Sequence, residues 1–155
     1  MPTAATGNTR IASLQGNFGV RAPVVGAGWA EFPKTDWPLG LVPDIKQEAA
    51  GRTRGVPVFN EYEFGGFLIY FAPECRPFVD DRCEVFGGKW LAAFVAAGEP
   101  GADTAAAMIR WQAEYGLFEM ALTRPRSEYD DYFRAHPEWE AVATDSAGVL
   151  YRRRK

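Results

Sequence analysis

Imidazole and thiol are scarce in this chain: one histidine, His136, and two cysteines, Cys75 and Cys83, among 155 residues. Zinc centres draw on several such ligands, and no CxxC spacing is present, so a metal site of that kind is not expected. No GxSxG elbow or other nucleophile motif accompanies the histidine. His136, just before Pro137, reads as an exposed helix end rather than a base. The two cysteines flank the segment 76–82. If that segment is extended, eight steps of about 3.3 Å put them roughly 26 Å apart. A disulfide needs Cα atoms within about 7 Å. No internal bridge is expected, and the cysteines carry no message about the compartment.

Long apolar runs are missing as well. Nothing approaches the roughly 18 residues of a membrane span. The first nineteen residues hold one arginine and no apolar core, so they do not form a secretory leader. The chain as given is expected to be soluble. A net charge of −3 supplies no general attraction to nucleic acid. Seven of the 17 basic residues follow Met120, ending in Arg152-Arg153-Arg154-Lys155, and read as a solvated tail. No GxGxxG or GxxxxGK[ST] loop offers a phosphate cradle, no cofactor is implied, and no internal repeat is evident.

What is present is ordinary for a folded protein: 47% hydrophobic and 24% charged residues, with 14% aromatic. The length suits one core and not two. Residues 1–42 read as an irregular amino-terminal arm and a proline-rich loop, and residues 43–155 as a single α/β domain. Pro43 to Ala50 predicts a helix, with Pro43 in its first turn and Gly51 as its stop. Val56 to Phe59 predicts a strand and Gly66 to Ala72 a helix. Pro77 to Val79 predicts a second strand, and Gly88 to Ala97 a helix. Asp103 and Ser127 stand where helix N-caps belong, before helices reaching Tyr115 and Ala135. Phe118 to Leu122 is a third strand. Glu140 to Thr144 and Val149 to Arg152 form a closing hairpin. The alternation predicts a three-layer α/β fold: a mainly parallel sheet, helices on both faces and an antiparallel carboxyl-terminal hairpin.

Strand-end loops are where α/β folds carry sites. Two such loops hold charge here. Asn60, Glu61 and Glu63 follow the first strand, with the amides of Gly65 and Gly66 behind them; Asp80 and Arg82 follow the second. Carboxylates one residue apart can bind a cation, act as acid and base, or accept hydrogen bonds from a hydroxylated ligand. The bland reading is that Asn60 caps a turn and the glutamates face water. For Asp80, pairing with Arg82 or a loop amide is expected. Gly65 and Gly66 either admit a ligand to the helix start or permit close helix–sheet packing. Trp111, Tyr115 and Phe118 read as core, and Trp139 as packing under the hairpin.

Longer blocks carry a resemblance. They are Val58-Phe59-Asn60-Glu61-Tyr62-Glu63-Phe64-Gly65-Gly66-Phe67-Leu68-Ile69, then Phe78-Val79-Asp80-Asp81-Arg82. Trp139-Glu140-Ala141-Val142 follows, with Asp145 and Val149 to Arg152. In this order, over roughly 120 residues, the chain resembles the carboxyl-terminal soluble domain of polytopic bacterial GT-C glycosyltransferase-like (oligosaccharyltransferase-like) membrane proteins. Asp81 stands where that pattern has glycine. The resemblance implies a non-catalytic domain on the extracytoplasmic side of a bacterial membrane. Its partners would be the membrane-embedded part of the same protein, which binds a lipid-linked sugar donor, and a carbohydrate or peptide acceptor. The ligand-binding set would be Asn60, Glu61, Glu63, Gly65, Gly66, Asp80 and Arg82. Two alternatives stay open. One is a small free-standing metal-dependent hydrolase or transferase using Glu61, Glu63 and Asp80. The other is a structural interaction module docking through Trp29, Phe32, Trp37 and Trp90.

Overall fold

A computed structural model describes residues 36–52 and 55–155, apart from the side chain of Cys83. They lie within one compact unit of the chain, Phe32–Lys155. The expected arm, the docking residues Trp29 and Phe32, and the Cys83 thiol lie outside the described residues. Cys75 is a free, buried thiol.

A short 3-10 turn, Leu39–Leu41, leads into α1 (Val42–Ala49). The proline-rich loop therefore ends in helical structure, with Leu41 in the core. β1 (Val56–Asn60), α2 (Phe64–Phe71), β2 (Cys75–Pro77), α3 (Cys83–Phe86) and α4 (Gly88–Ala97) follow. Then come α5 (Thr104–Tyr115), β3 (Met120–Thr123), α6 (Glu128–Ala135), β4 (Trp139–Thr144) and β5 (Val149–Arg153). Both expected caps are in place. The Asp103 side chain accepts from Ala106 N at 2.9 Å, and Ser127 Oγ accepts from Asp130 N at 3.1 Å.

The five strands form one open sheet in the order β2-β1-β3-β5-β4. β1 is parallel to β2 and β3, whereas β3–β5 and β4–β5 are antiparallel. The sheet is thus mixed, not mainly parallel. After β3 a single helix carries the chain across, and the closing hairpin docks on β3 through its second strand. The hairpin turn is set by Asp145, whose Oδ1 accepts from Ala147 N and Gly148 N, both at 2.9 Å.

Strand side chains alternate between two apolar clusters. Val56 and Val58, Met120 and Leu122, and Leu150 pack with Leu41, Ile45, Phe64, Phe67 and Leu68. Phe59, Ala121, Val149 and Tyr151 enter the other cluster, with Phe94, Met108, Trp111, Tyr129 and Phe133. Fully buried Phe59 meets six other rings there, at centroid distances of 4.9–6.4 Å. Trp111 and Phe118 are core, as expected, and Trp139 is buried edge-on against Phe133. Tyr115 is not core; it is 48% exposed.

β2 lies two residues earlier than the expected Pro77 to Val79. Val56 N donates to Glu74 O, and Phe78 N donates to Val58 O, each at 2.9 Å. This parity turns the Arg76 backbone toward β1 and that of Cys75 and Pro77 away from it. Cys75 N–H is used by Ala72 O at 2.8 Å, and proline has no N–H. The outer edge of β2 therefore offers no amide donor. Phe78 N, which still reaches Val58 O, also meets the Asn60 side chain, and from Val79 onward that side chain replaces the backbone ladder.

Candidate functional site

Because β1, β2 and β3 run parallel, three loops leave the same rim: 61–63, 78–82 and 124–127. Asn60, the last residue of β1, is fully buried. Its Oδ1 accepts from Phe78 N at 2.8 Å and from Val79 N at 3.4 Å. Its Nδ2 donates to Val79 O at 2.7 Å and to Glu61 O at 2.9 Å. Both amide hydrogens and both acceptor positions are occupied. The carboxamide stands in for the next backbone rung and clamps the β2 loop to β1. It presents nothing to a ligand.

Asp80 is buried and Arg82 exposed. Arg82 Nε and Nη2 donate to the carboxylate at 2.9 and 2.6 Å, and Arg82 N donates at 2.9 Å. The expected pairing is present in both forms, guanidinium and loop amide. These bonds hold the Asp80 carboxyl below the usual aspartate range, the Arg82 side chain contributing most.

Glu61 turns the other way. Its Oε1 accepts from Arg124 N at 2.7 Å and from Ser127 Oγ at 2.5 Å, tying the β1 loop to the turn before α6. Burial pushes its pKa up, against the pull of those two bonds. Glu63 is half-exposed and pairs with Arg124 Nη2 at 2.7 Å. The structure thus joins the expected carboxylates to one rim but divides them between two directions, each with its own partner.

The two glycines differ. A Cβ on Gly65 would lie 2.2 Å from Val79 O and 2.4 Å from Asp80 Cα; on Gly66 the nearest atoms are Asp81 carboxylate oxygens at 3.9 Å. Gly65 lets α2 pack against the β2 loop, and its N–H donates to Tyr62 O at 3.3 Å. α2 begins at Phe64, two residues before the expected start at Gly66, so both glycines are helical.

The sequence reading missed a group on this rim that is bonded as fully as Asn60. Asp130 is fully buried. Its Oδ2 accepts from Arg126 N at 2.8 Å and Arg134 Nη2 at 2.5 Å; its Oδ1 accepts from the Tyr151 hydroxyl and, at 3.4 Å, from Thr123 Oγ1. Arg126 is held at φ 67°, the left-handed region an arginine seldom adopts. The signal available was Ser127-x-x-Asp130, close to a capping box, except that the acid bonds Arg126 N rather than the cap's own amide.

Two concavities lie away from the rim. One, of about 920 Å³, gathers Arg52, Arg152, Arg153, Arg154 and Lys155 with three glutamates. Its arginines are engaged: Arg52 with Glu119, Arg152 with Glu48 and Glu140, and Arg153 with Phe118 O and over the Trp139 ring. Arg152 and Arg153 belong to β5, so the basic run is not a tail. The other, of about 460 Å³, is aromatic. Pro57, Arg76 and Phe78 lie on one side of it, and Phe86, Trp90 and Tyr115 also line it.

Opposite pH dependences follow from buried Asp80 and partly buried Glu61. For Asp80, lowered on folding, the stability is present above the ordinary aspartate range and lost as pH falls through the folded value. For Glu61, raised on folding, the ionised form is the costly one, so stability declines as pH rises from the ordinary glutamate value through the folded one. In Asp80→Asn the acid-side loss of melting temperature should shrink. In Glu61→Gln, which keeps the Oε1 acceptor, the decline above the ordinary glutamate range should disappear. Melting curves across pH 2–8 check both signs.

Fold and rim define an α/β domain with a five-stranded mixed sheet, its strand-end loops tied to one another by buried polar groups. No family model matches this chain, and no curated protein or solved structure matches it.

Proposed function

We propose that this chain is a non-catalytic soluble domain of a membrane glycosyltransferase-like protein, placed on the extracytoplasmic side of a bacterial membrane. There it recognises a carbohydrate acceptor or the membrane-embedded part of the same protein. The observation that supports a recognition role is the state of the rim. Asp80 and Glu61 are held by three and two internal donors, while half-exposed Glu63 pairs with Arg124 alone. A catalytic acid or base must exchange protons with a substrate, and a carboxylate fixed by two or three internal donors is spent on architecture. A three-layer arrangement with helices on both faces belongs to the same reading, supported by the two clusters that strand residues enter alternately. Among the described residues no helix is long and apolar enough to cross a membrane.

The test is a paired assay on the purified protein. Chitotriose, cellotriose and trigalacturonate are titrated calorimetrically, and nitrophenyl glycosides are incubated with Mg²⁺ or Mn²⁺. The expected outcome is binding of a saccharide without turnover, with Glu63→Gln melting as wild type does. Turnover that falls about tenfold or more in Glu61→Gln or Glu63→Gln, at unchanged melting temperature, would overturn the reading in favour of a strand-end enzyme.

A further inference from the structure

We infer that the aromatic groove at the β2 edge, and not the strand-end rim, is where a saccharide binds. This rests on the reading of the domain as one that recognises carbohydrate.

The groove has the size of a small-ligand site, and its lining combines aromatic rings with the polar side chains of Arg76 and Tyr115. Its rings are held in place. Trp90 stacks between Phe86 and Phe94, at 5.1 and 5.6 Å, and meets Phe78 edge-on at 5.3 Å. Trp90 is therefore a fixed post whose faces are taken. Phe86 at the end of the stack and Tyr115 remain for a ligand, the latter 48% exposed and set edge-on to Phe78 at 5.7 Å. Contacts with Glu114 and Trp90 hold the Tyr115 hydroxyl. The C–H face of a pyranose suits such an electron-rich ring surface.

The polar groups narrow the choice. Arg76 is exposed at the groove, and no ion pair or hydrogen bond engages its side chain among the described residues. Arg52, Arg82, Arg124, Arg134, Arg152 and Arg154 are ion-paired within the domain, whereas the Arg76 guanidinium faces the groove without such a partner among the described residues. Its fork of donors suits vicinal hydroxyls or a sugar carboxylate. Pro77 also lines the groove and turns its carbonyl outward, with no N–H beside it. An extended peptide adding to a strand edge needs donors as well as acceptors from that edge. β2 supplies acceptors only, so it fits a ligand rich in hydroxyl donors better than a peptide strand.

The test follows intrinsic tryptophan fluorescence and indole N–H resonances while chitotriose, cellotriose or trigalacturonate is added up to about 10 mM, the range of weak carbohydrate affinities. Saturation by at least one probe is expected, with perturbation of the Trp90 resonance. Arg76→Ala and Tyr115→Ala should each weaken it about tenfold or more at wild-type melting temperature. Should Tyr115→Ala melt low, Tyr115→Leu keeps the bulk and removes the ring surface. Binding that is unchanged in the Arg76 and Tyr115 variants but lost in Glu63→Gln would move the site to the rim; the inference would fail and the reading of the domain would stand. No saturation by any of the three saccharides would overturn the inference, and with it the carbohydrate part of that reading. Saturation by a proline-rich decapeptide alone would overturn it in favour of a peptide groove. Glycoside turnover with intact groove binding would sink the non-catalytic reading and leave the groove.

Discussion

Gly65→Ala should destabilise the domain by about 3 kcal/mol or more, whereas Gly66→Ala should be neutral or stabilise it by about 0.5–1 kcal/mol. The two residues are adjacent in the first turn of α2 and differ only in what they face. The new methyl at position 65 would sit 2.2 Å from Val79 O and 2.4 Å from Asp80 Cα, inside backbone that cannot rotate away. Relief requires α2 or the β2 loop to move, and that loop is clamped by Asn60 and by the Asp80–Arg82 pair. At position 66 the nearest atoms are carboxylate oxygens of Asp81 at 3.9 Å, an ordinary contact. There alanine merely restricts the unfolded chain and favours helix. Urea denaturation of the two variants beside wild type reads the contrast directly. Equal midpoints would mean that the helix and loop are not packed as described.

That contrast also shows where a sequence alone is legible and where it is not. Ser127 and Asp103 were readable as caps because capping is local: the acceptor lies within three residues of its donor. Helix α4 and the closing hairpin were readable for the same reason, each framed by its own glycines, acids and apolar run. The pair Gly65-Gly66 looked like one signal because their difference lies in the β2 loop, fourteen or more residues away. Asn60 looked like a ligand-facing residue for a related reason. An amide after a strand marks a turn in most loops, and only the register of β2 reveals that it replaces a backbone rung. Pro77 to Val79 reads as strand from its apolar run; Phe78 N does make a backbone rung to Val58 O, but Val79 N is met by the Asn60 side chain instead of the next rung. The equality of parallel and antiparallel pairings was hidden too, since nothing in the hairpin says which of its strands docks on β3.

Asp130→Ala should be the other severe change, costing about 3–5 kcal/mol. Alanine would leave the Arg126 amide, the Tyr151 hydroxyl and Thr123 Oγ1 without their shared acceptor at the end of β3. It would also free Arg126 from the bond that accompanies its left-handed backbone. Asp130→Asn should cost less, about 2 kcal/mol, because one oxygen still serves Tyr151 while the amide group opposes the Arg126 N–H. Tyr151→Phe should cost about 1–2 kcal/mol by removing one donor from the same carboxylate. Chemical denaturation of the three variants should return that order. A wild-type midpoint for Asp130→Ala would show that the α6 turn is held by its cap alone. The residue was passed over in the sequence because an acid early in a helix already has a sufficient local explanation in the helix dipole.

The outer edge of β2 has a consequence for how the protein behaves in a crowd. Sheets with an open, donor-bearing border recruit one another, and small α/β proteins at high concentration polymerise through such borders. Here the border is three residues long, ends in proline, and has its one remaining N–H turned inward to Ala72 O. A second copy that aligned a strand against it would find carbonyls and no hydrogens. On this side the sheet offers its own kind no hydrogen to pair with, so the aromatic groove beside it stays open to small molecules in solutions dense with the protein itself.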